Sequence, residues 1–250
     1  MARGLKLLET FDDGALSLGN ADISERSGLP KSTVSRLTYT LMQSGFLQLD
    51  AEDQRYQLGP AVRRLAVLYC RGRAVLAEAR PCMEMLAETY SASVMLLERD
   101  GLEMVSMQFY KAKTAAVVVN RDPDSRLPLA RTSAGRAYLA NCAANERDWL
   151  LSQLAKAEAP SVRTSAVHDL KSILAVTRTQ GFASSYGELN VGVNAVGVAL
   201  RSPVDGTLLS MNISAPQAVL SVERCQQEVG PALMHAAREI EQRVRFMTAS

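Results

Sequence analysis

Leu29-Pro30-Lys31-Ser32-Thr33-Val34-Ser35-Arg36-Leu37-Thr38-Tyr39-Thr40-Leu41-Met42-Gln43 is the stretch whose periodicity decides the N-terminal fold. At about 100° per residue, Val34, Leu37 and Leu41 share one side of a helix. Ser32, Arg36, Tyr39, Thr40 and Gln43 share the other side. Lys31, Ser32 and Thr33 form the first turn, and Pro30 opens it without losing a hydrogen bond the helix could have used. The inner side is aliphatic. The outer side carries hydroxyls, an amide, a cation and an aromatic, groups that bond base edges and phosphates in a major groove.

Upstream, Leu5, Leu7, Leu8 and Phe11 give a short first helix its apolar side, and Asp12, Asp13 and Gly14 stop it. Asn20 is the expected N-cap of a second helix through Ile23 and Arg26. Ser27-Gly28 breaks the chain before the third helix, because glycine tolerates turn geometry that other residues resist. Downstream of Gly45, strands are expected at 46–49 and 55–58 around the polar turn 50–54. They read as a hairpin wing with Arg55 near its tip. Any one of these elements alone reads equally as solvated surface. Three helices followed by a hairpin read as a winged helix-turn-helix.

From Pro60 to about Arg71 a further helix is expected, with Val62, Leu65, Ala66 and Tyr69 in one apolar stripe and Arg63, Arg64 and Arg71 off it. Such a stripe either packs on its own chain or pairs with a partner helix. Gly72 marks a bend. Leu76, Ala79, Met83, Leu86 and Tyr90 then recur at helical spacing, with Pro81 among them. Strands are expected at 93–98, 104–109 and 115–119, helices at 133–141, 147–154 and 167–180, and a second strand pair at 194–200 and 207–213. In the last helix Cys225, Val229, Ala232, Ala236 and Ile240 form one face, supported by Glu239–Arg243 and Glu241–Arg245 pairs. Antiparallel strands with flanking helices make the second half an α+β sensor-like domain.

Composition narrows the function. Of 250 residues, 47% are hydrophobic and 22% charged, and the net charge is only +2, so any charge that serves DNA must be local. Apolar runs fall far short of the roughly 20 residues a membrane-spanning helix needs. The four cysteines, Cys70, Cys82, Cys142 and Cys225, show no C-x-x-C spacing, which fits reduced, buried thiols in the cytoplasm. His168 and His235 stand far apart and suit neither a metal site nor a triad. Ser133 lies in Thr132-Ser133-Ala134-Gly135, which lacks the first glycine of a nucleophile elbow, and no phosphate-cradling G-x-x-x-x-G-K occurs. No catalytic residue, metal or cofactor is therefore expected. The alternatives are a small-molecule-transforming enzyme, or a sensor, that uses the winged helix for protein contact. Turnover of a ligand would identify the first, and loss of DNA binding by residues 1–60 the second.

The stretch Arg26-Ser27-Gly28-Leu29-Pro30-Lys31-Ser32-Thr33-Val34-Ser35-Arg36-Leu37 resembles the signature of the IclR family of transcription regulators. Gly45-Phe46-Leu47 and Tyr56-Gln57-Leu58-Gly59-Pro60 resemble its continuation into the wing. Leu127-Pro128-Leu129-Ala130-Arg131-Thr132-Ser133-Ala134-Gly135-Arg136-Ala137 resembles the family's loop-to-helix segment at the ligand pocket. Gly181-Phe182-Ala183, Glu188, Gly192-Val193 and Ile213-Ser214-Ala215-Pro216 fall at matching positions.

The resemblance implies an α+β chain in three parts: an N-terminal winged helix-turn-helix at 1–59, a linker helix at 60–75, and a C-terminal GAF-like, antiparallel-sheet effector domain at 76–250. It implies a homodimer or homotetramer on a near-palindromic double-stranded DNA operator. Lys31, Ser32, Thr33 and Ser35 would face that DNA, together with Arg36, Tyr39, Gln43 and Arg55. The implied effector is a small, carboxylate-bearing metabolite. It would lie on the backbone of Ser133 and Ala134, near the side chains of Ser185, Ala195, Asn212 and Ser214. Leu127, Ala116 and Val119 would form the apolar side. Small Ser185 and Ala195 and the amide of Asn212 depart from polar or acidic choices in relatives, which leaves a larger or less charged effector open.

Overall fold

The computed structural model describes residues 2–11, 15–71, 73–113, 125–157 and 163–249. They fall into two compact units, Met1–Arg73 and Ala74–Ser250, which places the linker helix with the first.

In the first unit α1 (Ala2–Leu8) runs into a 3₁₀ turn (Glu9–Phe11). Then come α2 (Asn20–Ser27), α3 (Lys31–Gln43), β1 (Leu47–Leu49), β2 (Tyr56–Leu58) and α4 (Pro60–Arg71). Leu7, Phe11, Leu18, Ile23, Val34 and Leu47 form its core. Leu5 departs from the expectation. It is 55% exposed, because Leu7 and Phe11 fill the core and Leu5 is left on the rim of a surface groove with Leu8, Leu37 and Phe46. Asn20 is not the cap of α2. Gly19 is, and its N–H donates to Asp22 Oδ2 at 2.9 Å. Asn20 instead donates from Nδ2 to Ser35 Oγ at 2.7 Å, tying α2 to α3. Gly28, at φ +69°, makes the left-handed turn between those helices. The wing gains a third short segment, because Leu18 and Tyr56 exchange both backbone hydrogen bonds.

The second unit is built on one antiparallel sheet. In chain order come α5 (Ala74–Tyr90), β3 (Ser93–Asp100), β4 (Glu103–Lys111), β5 (Arg126–Pro128), α6 (Ser133–Asn141) and α7 (Ala144–Ala157). α8 (Arg163–Gln180), β6 (Ala183–Tyr186), β7 (Val193–Arg201) and β8 (Leu208–Pro216) follow. The short α9 (Val222–Arg224), a π turn (Cys225–Val229) and α10 (Gly230–Ala249) close the described chain. Six strands pair in the order β5-β4-β3-β8-β7-β6. The expected strand at 115–119 lies outside the described residues. β5 and β6 were not expected: each is at most four residues long, and Ala-Ser-Ser-Tyr carries no β-branched signal.

Strand alternation sorts the sheet into two faces. Val94, Leu96, Met211 and Ile213 face α5 and α10 in one apolar core. Met95, Leu97 and Met104 face the other way, in a core with Leu139 of α6, Leu150 of α7 and Leu174 of α8. The last helix is not one continuous face. The π turn inserts a wide step, closed by Gly230 N–H to Cys225 O, so the buried line runs Cys225, Val229, Leu233, Ala236, Ile240 and Ala232 is only half-buried. Glu239 pairs with Arg243 as expected, whereas Glu241 accepts from Arg201 N at 2.6 Å.

Two glycines decide how α6 sits. A Cβ on Gly197 would stand 2.6 Å from Ser133 C and O. One on Gly135 would stand 2.0 Å from Leu129 O. The first absence lets the start of α6 rest on β7, and the second lets the preceding loop fold back over the helix. Gly135→Ala is expected to destabilise the second unit by about 2–4 kcal/mol, because the clash is with backbone that no rotamer can relieve. Thermal or urea unfolding checks this, and an unchanged midpoint would show that the loop yields freely.

Candidate functional site

The outer face of α3 is assembled as its phase requires. Val34 and Thr38 are fully buried, while Lys31, Ser32, Ser35, Arg36, Tyr39 and Gln43 are exposed and Thr33 is half-buried. Lys31 and Arg36 make no ion pair among the described residues, so both charges are available to phosphate or base. Ser35 is partly committed: its Oγ accepts from Asn20 and donates to Lys31 O at 3.0 Å.

Arg55 is not a free cation at the wing tip. Its Nε donates to Ser17 Oγ at 3.1 Å, and its Nη2 donates to Ser17 O and, at 2.8 Å, to Asp22 Oδ2. The Gly19 N–H and the Arg55 guanidinium hold the Asp22 carboxyl below the usual carboxylate range. Arg55 therefore latches the wing onto α2. The turn itself carries Asp50, Glu52 and Asp53, a charge that repels phosphate.

In the second unit, a cavity of about 30 Å³ opens between the start of α6 and the sheet. Of the expected effector residues it gathers Leu127, Ser133, Ser185, Ala195, Asn212 and Ser214 at its wall. Strand register explains the grouping. Ser185 pairs with Ala195, Ala195 with Ser214, and Asn212 with Gly197, so these positions occupy adjacent strands on one face of the sheet. Ala134 does not line the space; it is fully buried in the core beneath. Ala116 and Val119 lie outside the described residues.

Thr132 caps α6. Its Oγ1 accepts from Gly135 N at 3.1 Å and donates to Pro128 O at 2.9 Å. The N–H groups of Ser133 and Ala134 belong to the first turn, where no intrahelical carbonyl can accept them. Ser185 Oγ donates to Arg131 O at 3.1 Å. Ser133 Oγ and Asn212 Oδ1 are buried with no partner among the described residues. A buried polar atom left unpaired costs about 1–3 kcal/mol, so two beside one cavity mark a place for a polar guest.

Four wall residues were not read from the sequence: Thr132, Leu189, Asn190 and Val193. Thr132 carried a legible signal, a threonine three residues before Gly135 at a helix start. Leu189 and Asn190 come from the turn between Gly187 (φ +69°) and Gly192 (φ +78°), whose position over the cavity is tertiary, and Val193 opens β7 directly after it. Buried Arg136 fixes that turn by pairing with Glu188, and it donates to Ala130 O and Ser184 O at 3.0 and 2.9 Å. Arg131 adds a bond to Glu188 O at 2.8 Å. The wall has no charged side chain. No group of metal-binding side chains occurs among the described residues. Cys82, Cys142 and Cys225 are buried, and burial pushes the Cys225 thiol up to about 11, so it stays protonated and poorly nucleophilic.

Comparison with known proteins matches both units. The helix-turn-helix domain of IclR proteins matches residues 1–51, and the C-terminal domain of bacterial IclR transcriptional regulators matches residues 67–242. The chain is 30% identical over 246 residues to the HTH-type transcriptional regulator TsaQ1/TsaQ2 of Comamonas testosteroni, covering 98% of this chain and 88% of that one. It is 25% identical over 242 residues to the transcriptional repressor IclR of Escherichia coli, covering 96% and 88%. The crystal structure of an IclR family regulator from Brucella abortus superposes with a TM-score of 0.80 at 34% identity, over 97% of this chain and 91% of that one. With both of its units matched to IclR domains, this chain belongs to the IclR family of bacterial transcriptional regulators.

Proposed function

We propose that the outer face of α3 reads an operator, and that the cavity under α6 holds a small, carboxylate-bearing metabolite that changes operator affinity. The observation that carries the second half is the pair of unpartnered buried atoms, Ser133 Oγ and Asn212 Oδ1, beside the free N–H groups of a helix N-terminus. Those N–H groups favour one negative charge without a cationic side chain. Binding rather than turnover is the better reading, because Ser133 Oγ has no base to activate it. A cytoplasmic location fits the DNA partner, and no described helix is long and apolar enough to cross a membrane.

Lys31, Ser32, Ser35, Arg36, Tyr39 and Gln43 are the proposed DNA-facing set, with Thr33 at its edge. Arg55 is left out because its guanidinium is engaged. Assembly would run through α4, where Leu65 (55%), Leu68 (63%) and Tyr69 (48%) are exposed and Val67 is partly so. The apolar surface is broader than the stripe expected from spacing, since Val67 and Leu68 join it. A dimer through this helix, or a tetramer of two such dimers, would present two reading helices to a near-palindromic site.

Three outcomes test the proposal. Arg36→Ala is expected to weaken operator binding by about 1–3 kcal/mol, with sequence preference relaxed, if Arg36 reads a base edge. If it touches phosphate, the loss is nearly sequence-independent and the salt slope falls by about one contact. Anisotropy titrations at two salt concentrations separate the two, and unchanged affinity at both would remove this face from the interface. Leu65→Asp is expected to shift the protein to a smaller assembly in light scattering, because a charge would be desolvated at the seam. A normal dimer of normal stability would clear Leu65 of that role. Finally, a ligand that changes operator affinity by some factor must have its own affinity changed by operator in the same factor. Calorimetry with and without operator checks this, and no binding to the protein alone or to its operator complex would mean the ligand acts without binding this protein.

A further inference from the structure

We infer that the ligand carries a hydrogen-bond donor on the atom next to its acidic group, that is, a 2-hydroxy carboxylate, and that Asn212 selects it over the corresponding 2-oxo acid. The inference rests on the reading of the cavity as the effector site and goes further, to what the cavity wall demands of its guest.

Asn212 lies in the middle of β8, between Met95 of β3 and Gly197 of β7. It is 5% exposed, and no described residue bonds its side-chain amide. Whichever way the amide is turned, it offers the cavity one acceptor and two donors. Its register partner, Gly197, is the residue on which α6 rests, with the Ser133 carbonyl group 2.6 Å from the absent Cβ. The amide and the start of α6 are thus neighbours. A ligand group at the start of α6, where Ser133 lines the cavity, would have its adjacent atom beside Asn212 and Ser133 Oγ on the same wall.

The two ends of this small site ask for different chemistry. Backbone N–H groups only donate, so they take a carboxylate. The adjacent atom must satisfy an amide that both donates and accepts. A hydroxyl does both: it gives its proton to the amide oxygen and accepts from the amide nitrogen. A keto oxygen only accepts, and it leaves the amide oxygen unpaired in a buried site, which a polar pocket penalises strongly. Ser185 does not relieve this, since its proton is already given to Arg131 O. The volume of about 30 Å³ has room for about two waters, which favours a compact ligand.

The test uses full-length protein and matched pairs that differ only at this atom: lactate against pyruvate, 2-hydroxybutyrate against 2-oxobutyrate, and mandelate against benzoylformate. Calorimetry is expected to show the hydroxy acid of at least one pair binding roughly 10-fold or more tighter than its oxo partner. In Asn212→Leu that preference is expected to fall to near unity. Equal or tighter binding of the oxo acids to the unmodified protein overturns the donor requirement while leaving the cavity as the ligand site. A hydroxy acid that binds Asn212→Leu with unchanged affinity overturns the cavity reading as well, because binding would then lie elsewhere. No binding by any member at millimolar concentration overturns the assignment of the ligand class. The comparison on unmodified protein decides the matter even if the variant does not fold.

Discussion

The approach of the α6 backbone to the sheet, possible only because residue 197 carries no side chain, is the constraint from which the effector unit follows. It brings the first turn of a helix onto a row of the sheet that carries polar side chains. The neighbours of that row, Leu209, Met211 and Ile213, point into the opposite core and are fully buried. Ser210, Asn212 and Ser214 alternate with them and are buried too. A sheet interior of hydroxyls and an amide is a poor way to stabilise a fold, since each unpaired polar atom there works against folding. The arrangement makes sense when those atoms are completed by something that comes and goes.

The same economy of polar groups governs the reading unit. Arginines that look equivalent in sequence have different jobs. Arg55 is held by Ser17 and Asp22 and fixes the wing. Arg136, 5% exposed, is held by Glu188 and two carbonyls and fixes the turn over the cavity. Arg36 and Lys31 hold nothing in their own unit. Arg55 and Arg136 are saturated by partners within their own units, whereas Lys31 and Arg36 keep their charges for a group from outside.

This difference also sets what could be read from sequence. The phase of α3 was legible because one helix face must be apolar, and Val34 at zero exposure confirms the inner side. The start of α6 at Ser133 was legible from Thr132 and Gly135. Of the nine residues grouped by resemblance, Leu127, Ser133, Ser185, Ala195, Asn212 and Ser214 share one cavity wall, for which strand register supplies the physical reason. The fate of Arg55 was not legible, because nothing local announces that Asp22 lies across the fold from it. Leu5 was assigned to a core already filled by Leu7 and Phe11. The π turn at Cys225–Val229 escaped because a five-residue step leaves a pattern close to that of an ordinary helix. Local periodicity fixes which face of an element is buried; the partner of a polar tip is decided by tertiary structure.

For a regulator the remaining question is how a guest under α6 can matter to a helix in the other unit. A ligand that bound every conformation equally would shift nothing, however tightly it bound. The cavity holds about 30 Å³, little more than two waters, and part of its wall is the turn between Gly187 and Gly192. A guest of more than a few atoms cannot enter without moving that turn or the start of α6. Both are tied to one buried cation, Arg136, which belongs to α6 and grips Glu188 in the turn. Movement of either is therefore felt by the other. The energy available for the shift is what the guest gains by completing Ser133 and Asn212, and a difference of about 1.4 kcal/mol between two conformations changes their ratio tenfold. Two buried polar atoms are enough, in magnitude, to bias such an equilibrium, provided they meet the guest in one conformation and not in the other.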